Sequence, residues 1–174
     1  FGVGLSVIRE ALASRTATSV EEIGKALRAG TNCGSCLPEL KRIVDDARAT
    51  APNREIEVRS APAEVLGDAH QLRQVLGNLL RNALVHTPHG TPIDVTVERE
   101  DGRARLTVRD HGPGLPTDDP QALFERFWRA EGGRERGRAG AGLGLAIVAA
   151  IVDAHDGEVE AFNAPGGGAA FVVR

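Results

Sequence analysis

Apolar and polar positions along the chain follow two periods. In "RLTVRD" Leu106 and Val108 fall on one face and Thr107 and Arg109 on the other, the period of a half-buried strand that ends at Asp110. "PIDVTVERE" alternates in the same way, and Asp101-Gly102 between the two runs is a two-residue hairpin signal, so antiparallel strands are predicted. "EIEVRS" and "AEVLGD" predict two short strands earlier in the chain. "EVEAF" and "AAFVV", joined across Pro165 to Gly168, predict a closing hairpin. Helical spacing is strongest at Leu72, Val75, Leu76, Leu79, Leu80 and Ala83, a core stripe, with Asp68 and Gln71 placed to cap the helix start. "AIVAAIVDAH" is apolar nearly all round and predicts a buried helix, whose end His155 serves ahead of Gly157.

Upstream, residues 5 to 13 and 20 to 29 read as helices. The second opens on the capping pattern Ser19-Val20-Glu21-Glu22 and closes at Gly30. A third helix starts at Pro38 and runs through "ELKRIVDDARA", and the chain divides near Ala51-Pro52-Asn53. Two domains are therefore expected: a helical segment over 1–50, and an α+β unit over 53–174.

Composition narrows the picture. The 174 residues are 41% hydrophobic but only 3% aromatic, so one real core is built mostly from Leu, Val, Ile and Ala. A net charge of -3 argues against nucleic acid as an electrostatic partner. No apolar run reaches membrane-spanning length and no secretory signal opens the sequence, so a cytoplasmic protein is expected. There is no methionine, so an encoded start is missing and the sequence is expected to be a fragment or a processed product.

Candidate chemistry clusters after residue 68. Asp110-His111-Gly112-Pro113-Gly114 puts a carboxylate at a strand end and two glycines after it. Those glycines let the backbone turn and approach a flat ligand, while the carboxylate can accept from an exocyclic amine; a surface turn uses the same residues. Gln74, Asn78 and Asn82 recur every four residues on one helix face; the two asparagine oxygens suit a hard cation such as Mg²⁺, and a solvated face suits them too. Phe124, Phe127 and Trp128 gather in "LFERFWR". A Gly- and Arg-rich loop from Glu131 to Ala139 follows, with Arg129, Arg134, Arg136 and Arg138 in reach of anionic phosphates or merely solvated. Gly140-Ala141-Gly142-Leu143-Gly144-Leu145 then opens a helix, where free amides and the positive dipole end make a ready phosphate site or allow close helix packing.

In this order the motifs resemble the catalytic ATP-binding domain of a sensor histidine kinase. That domain belongs to the GHKL superfamily shared with DNA gyrase, the large cytosolic chaperone ATPase and mismatch-repair ATPases. "NLLRNALVHT" is similar to its N box, "DHGPG" to its first glycine box, "LFERFWR" to its F box and "GAGLGL" to its second glycine box, over residues 53 to 174. The resemblance implies the Bergerat fold, a two-layer α/β sandwich with a mixed sheet packed on helices, here preceded by a small all-helical segment. It implies that Asp110 holds the adenine amine, Asn82 ligates Mg²⁺ and Asn78 assists at the phosphates. Gly140, Gly142 and Gly144 would shape the lid hinge, and Phe124 and Phe127 would anchor the lid. His86, Gly112, Gly114, Phe127, Arg129 and Leu143 would complete the nucleotide contacts. Hydrolytic relatives carry a glutamate where this chain has Asn78, a poor base, which favours phosphoryl transfer to a protein over hydrolysis. Val85 stands where many members have lysine, a phosphate contact that Arg81 or a lid arginine would take over.

The family's phosphoacceptor histidine lies on a separate helical domain, and nothing like its motif occurs here: His70, His86, His89, His111 and His155 all fall within the ATP-binding region. The resemblance therefore implies a histidine phosphoacceptor domain and a response regulator as partners, and a fragment that does not act alone. An anti-sigma-factor-like serine kinase shares the nucleotide fold and is a weaker reading.

The first 45 residues resemble something else. "FGVG" and "AGTNCGSCLPELKRI" are similar to the 2Fe-2S domain of bacterioferritin-associated ferredoxin, also found at the ends of nitrate and nitrite reductases. Cys33 and Cys36 match that family's second cysteine pair, and Cys-x-x-Cys in a turn before a helix suits thiolate ligation or an ordinary turn. The family's first pair would precede Phe1. Four thiolates hold such a cluster and this chain has two cysteines, so an intact cluster is not expected; an electron-transfer module is the alternative reading of the chain.

Overall fold

The computed structural model describes residues 37–63, 65–129 and 142–174. The helices expected over 5–13 and 20–29, the cysteine turn with Cys33 and Cys36, the Arg-rich loop from 131 to 139 and Gly140 lie outside those residues.

The described chain is α+β. In order it forms α1 (Leu37–Thr50), β1 (Ile56–Ser60), α2 (Ala69–His86), β2 (Ile93–Glu100), β3 (Arg103–Asp110), a 3-10 turn (Pro120–Phe124), α3 (Gly144–Asp153), β4 (Val159–Asn163) and β5 (Ala169–Val173). The strands form one sheet in the order β1-β2-β3-β5-β4, mixed because β1 runs parallel to β2 while the other neighbours are antiparallel. Both predicted hairpins form. Asp101 and Gly102 turn the first with positive φ at both residues (49° and 84°), the twist that a tight hairpin needs.

Alternation along the strands builds one apolar face. Val58, Val95, Val108, Phe171 and Ala161 line up across the sheet through the strand registers, and Ile56 and Ile93 form the next row. The helices cover this face. From α2, Val75, Leu76, Leu79, Leu80 and Ala83 are buried as the stripe predicted, and Val148, Ile151 and Val152 enter from α3. The predicted burial of α3 holds for that face alone, since Ala150 is exposed.

Two sequence expectations change. Residues 63–68, expected as a strand, form no strand among the described residues, and the stretch ends at Asp68, whose backbone is taken by the helix entry. Asp68 caps α2 by accepting from the backbone N–H groups of His70 and Gln71, which holds its carboxyl below the ordinary value, and its own N–H donates to His155. Helix α1, expected within the N-terminal segment, also packs into the sandwich: Val44 is 1% exposed in the core, Ile43 and Ala47 flank it, and Arg48 donates to the Ile56 carbonyl at 2.6 Å.

Candidate functional site

The site begins with a parity. Asp110 follows Leu106 and Val108 on the helix-facing side of β3, so a strand that carries apolar side chains inward ends on an inward carboxylate, 5% exposed. Its Oδ1 accepts from the backbone N–H of Gly112 at 2.9 Å and of Ala169 at 3.2 Å. Both hydrogen bonds that it accepts among the described residues fall on Oδ1, so Oδ2 keeps its acceptor capacity.

The backbone around Asp110 leaves no room for side chains. A Cβ on Gly112 would lie 2.7 Å from the Thr87 methyl and 2.9 Å from Asp110 Oδ1. Gly114 sits at φ +94°, and the next N–H, on Leu115, donates to Asn163 Oδ1 at 2.7 Å. Gly168, at φ +85°, lies directly against the Asp110 carbonyl. Arg109 donates to the carbonyls of Pro165 and Gly167 at 2.9 and 3.1 Å, tying the β4–β5 turn to the end of β3.

Helix α2 carries the asparagines past this point. Gln74 is exposed, whereas Asn78 and Asn82 are half-buried. Asn78 Nδ2 is buried with no hydrogen-bond partner, an orphaned amide that protein interiors normally satisfy. Opposite stands Gly144, the first residue of α3, where a Cβ would come 3.9 Å from Asn78 Oδ1. Leu143 caps that helix without a side-chain hydrogen bond, so no side chain competes for the first-turn N–H groups. Asn78 thus holds an unpaired Nδ2 while its Oδ1 stands nearest the N-terminus of α3, whose free N–H groups suit an anion.

The aromatic segment holds the other end of this element. Phe124 meets Phe171 edge to face with centroids 6.4 Å apart, and Trp128 packs against the core. Phe127 is 69% exposed and adopts φ +64°; it is its backbone N–H, donating to the Gly142 carbonyl at 3.0 Å, that pins the glycine box. Gly142 itself has φ +69° and a Cβ there would press on the Trp128 carbonyl at 2.8 Å. Arg129, Arg81 and Val85 are exposed. His86 keeps solvent contact, yet crowding by its neighbours lowers its pKa below the ordinary 6.5, with Asp110 partly opposing the shift.

The structure brings Asp110, Gly112 and Gly114 together around one loop, and Asn78 together with Gly144. It adds residues that the motifs did not announce. Arg54 is 7% exposed and its guanidinium donates to five oxygens between Leu84 and Thr91; burial lowers its pKa and the charge of Asp110 raises it. Thr87, Asn163, Gly168 and Ala169 complete the frame. The available signals were the Gly166-Gly167-Gly168 run and the parity of β3. Among the described residues no three His, Cys, Asp or Glu side chains converge as a metal site, and no helix is long and apolar enough to cross a membrane.

Residues 67–174 match the family described as histidine kinase-, DNA gyrase B-, and HSP90-like ATPase, and residues 1–46 match the BFD-like 2Fe-2S binding domain. The signal transduction histidine-protein kinase BaeS of Escherichia coli is 44% identical over 110 residues, 63% of this chain and 24% of that protein. The sensor-like histidine kinase SenX3 of Mycobacterium bovis is 37% identical over 129 residues, 72% of this chain and 32% of its own length. Among solved structures, the mycobacterial sensor histidine kinase MprB superposes with a TM-score of 0.69 at 31% identity, over 80% of this chain and 92% of that one. The ATP-binding domain of PrrB from Mycobacterium tuberculosis does so with a TM-score of 0.64 at 27% identity, over the same shares. The chain belongs to the histidine kinase-, DNA gyrase B-, and HSP90-like ATPase family, and its α+β unit is a catalytic ATPase domain of the sensor-kinase kind. It spans about a quarter to a third of the length of these curated relatives. Neither the iron–sulfur nor the anti-sigma-factor-like reading is favoured by these matches.

Proposed function

We propose that this chain binds Mg-ATP and transfers the γ-phosphoryl group to a histidine on a separate phosphoacceptor domain, as the catalytic part of a two-component sensor kinase that serves a response regulator. One observation carries the reading: the inward Asp110 carboxylate, with two backbone donors on Oδ1 and Oδ2 left to accept. Oδ2 accepts from the adenine amine, and the bare backbone at Gly112 and Gly114 admits the flat ring. His86 lines the rim. The phosphates lie toward the N-terminus of α3, where Gly142, Leu143 and Gly144 present backbone and the orphaned Asn78 amide finds its partner. Phe127 and Arg129 stand at the border of the segment that the resemblance reads as the lid.

The half-buried asparagine side chains offer neutral amide oxygens of the kind that a hard cation takes, and Asn82 would be its ligand. Bound there, Mg²⁺ would neutralise charge on the transferring group. In the transfer the γ-phosphorus bond to the bridging oxygen breaks, which releases ADP, and a bond to the unprotonated nitrogen of the acceptor imidazole forms, while the proton on the ring's other nitrogen is released. Asn78 has no basic atom with which to activate water, so the site positions phosphates and leaves the nucleophile to the acceptor protein.

The reading places the reaction on the cytoplasmic side, where ATP is available, and keeps the division into residues 1–50 and 53–174, with α1 lent to the core of the second unit. Support for a 2Fe-2S role of Cys33 and Cys36 is the match over residues 1–46 alone, and two cysteines are half of a ligand set. Calorimetric titration of the purified chain with a non-hydrolysable ATP analogue, with and without Mg²⁺, tests the proposal. Binding that strengthens with Mg²⁺ is expected; no binding under either condition overturns it.

A further inference from the structure

We propose that Arg54 is a positioning residue of the nucleotide site: its guanidinium locks the last turn of α2 and the loop after it, and through Thr87 sets the Gly112 backbone against Asp110. The inference rests on the nucleotide-binding reading given above.

Helix α2 ends without a glycine cap. Thr87 takes the C-cap position in extended backbone (φ -115°, ψ 153°), and the last carbonyls need donors from elsewhere. Arg54 provides them from the entry to β1. Its Nη2 donates to the carbonyls of Leu84 at 3.0 Å and Thr87 at 3.4 Å. Its Nη1 donates to Thr87 Oγ1 at 2.8 Å, the Pro88 carbonyl at 2.7 Å and the Thr91 carbonyl at 2.9 Å. All five acceptors lie within one short segment, which a planar fork can span and a single ammonium cannot.

The clamp reaches the ligand pocket through one side chain. Thr87 Oγ1 accepts from Arg54 and donates to the Ala83 carbonyl at 2.6 Å, so two hydrogen bonds fix its rotamer. With the hydroxyl held, the methyl is forced toward Gly112, 2.7 Å from where a Cβ would stand. The Gly112 N–H is one of the two donors that hold Asp110 Oδ1. Asn82 and His86 ride on the same final turns of α2. Arg54 therefore sets the adenine-reading carboxylate without touching the nucleotide.

The test measures ATP and inosine triphosphate affinity, together with melting temperature, for the full chain and four variants. Inosine triphosphate replaces the exocyclic amine by a carbonyl, so the ratio of the two affinities reports how well Asp110 is aimed. Arg54→Lys and Arg54→Gln are expected to bind ATP about tenfold more weakly and to lose most of the preference for ATP. Thr87→Val, which keeps the shape and removes the hydroxyl, should shift both quantities in the same direction. Val44→Ala, in the core on α1, should melt earlier while keeping affinity and preference, which separates aiming from stability. Folded Arg54 variants with unchanged affinity and ratio would overturn the inference. So would an unchanged Thr87→Val if both Arg54 variants fail to fold. If the unaltered chain binds neither nucleotide, the functional reading itself falls; if it binds and the variants match it, only the role of Arg54 does.

Discussion

The His155 ring accepts a hydrogen bond at Nε2 from the backbone N–H of Asp68, 87 residues earlier, at 3.0 Å. Because Nε2 accepts, the proton sits on Nδ1, which donates to the Ile151 carbonyl at 2.7 Å. One neutral ring thus joins the start of α2 to the end of α3. Gly67 keeps the approach open, since a Cβ there would meet His155 Cδ2 at 2.7 Å. Replacing His155 by Ala leaves a part-buried N–H without its acceptor and should lower stability by about 1–2 kcal/mol. Urea denaturation checks this, and an unchanged midpoint would contradict it.

Asp110→Asn keeps size and burial but not chemistry. The amide oxygen will turn to the Gly112 and Ala169 N–H groups, which leaves the NH₂ group facing the position assigned to the adenine amine, donor against donor. ATP affinity should fall at least about tenfold, the weight of a charged hydrogen bond and its reversal. Isothermal titration at matched Mg²⁺ measures it, and retained affinity would remove Asp110 from the recognition of adenine.

Neighbouring glycines in the β4–β5 turn should behave differently. Gly168 has positive φ and faces the Asp110 carbonyl at contact, whereas Gly167 has φ +103° and open space around it. Gly167→Ala is expected to cost about 1–2 kcal/mol from backbone strain alone. Gly168→Ala adds a clash against backbone and should cost several kcal/mol, with loss of ATP binding. Equal melting temperatures for the two variants would refute the close packing of turn and strand.

His86 predicts a pH dependence. Its pKa in the folded chain lies below the unfolded 6.5, so between the two values the unfolded state holds more protons. Its contribution to stability is present above pH 6.5 and is lost as pH falls through the folded value. His86→Asn should flatten the decline of stability on this acidic side. Denaturation midpoints from pH 7.5 to 5 test it, and a parallel decline in both proteins would show that other groups govern it.

Much of this architecture was legible because local pattern and tertiary burial agree. The alternation through Leu106 and Val108 gave β3, and the same count carried one step further puts Asp110 inside, a consequence that motif reading alone leaves open. The stripe on α2 was legible for the same reason. The false strand at 63–68 shows where local pattern fails: Val65 and Leu66 look like strand residues, yet Leu66 is 68% exposed, and the backbone at Asp68 is claimed by a ring 87 residues away. Arg54 was invisible because all its acceptors lie 30 to 37 residues later in the chain. A single arginine after Pro52-Asn53 reads as a solvated turn until the helix end it caps is in place.

Helix α1 also bears on where this chain can be cut. The 2Fe-2S match extends to residue 46, while Val44 fills the interior of the ATPase sandwich. The stretch matched to the 2Fe-2S model and the packed core of the ATPase unit therefore overlap within a single helix. Cutting the chain in the loop at 51–53, where composition alone suggests a joint, would strip a plug from the nucleotide-binding unit and open a void beside α2. A truncation meant to keep the ATPase unit intact has to retain α1.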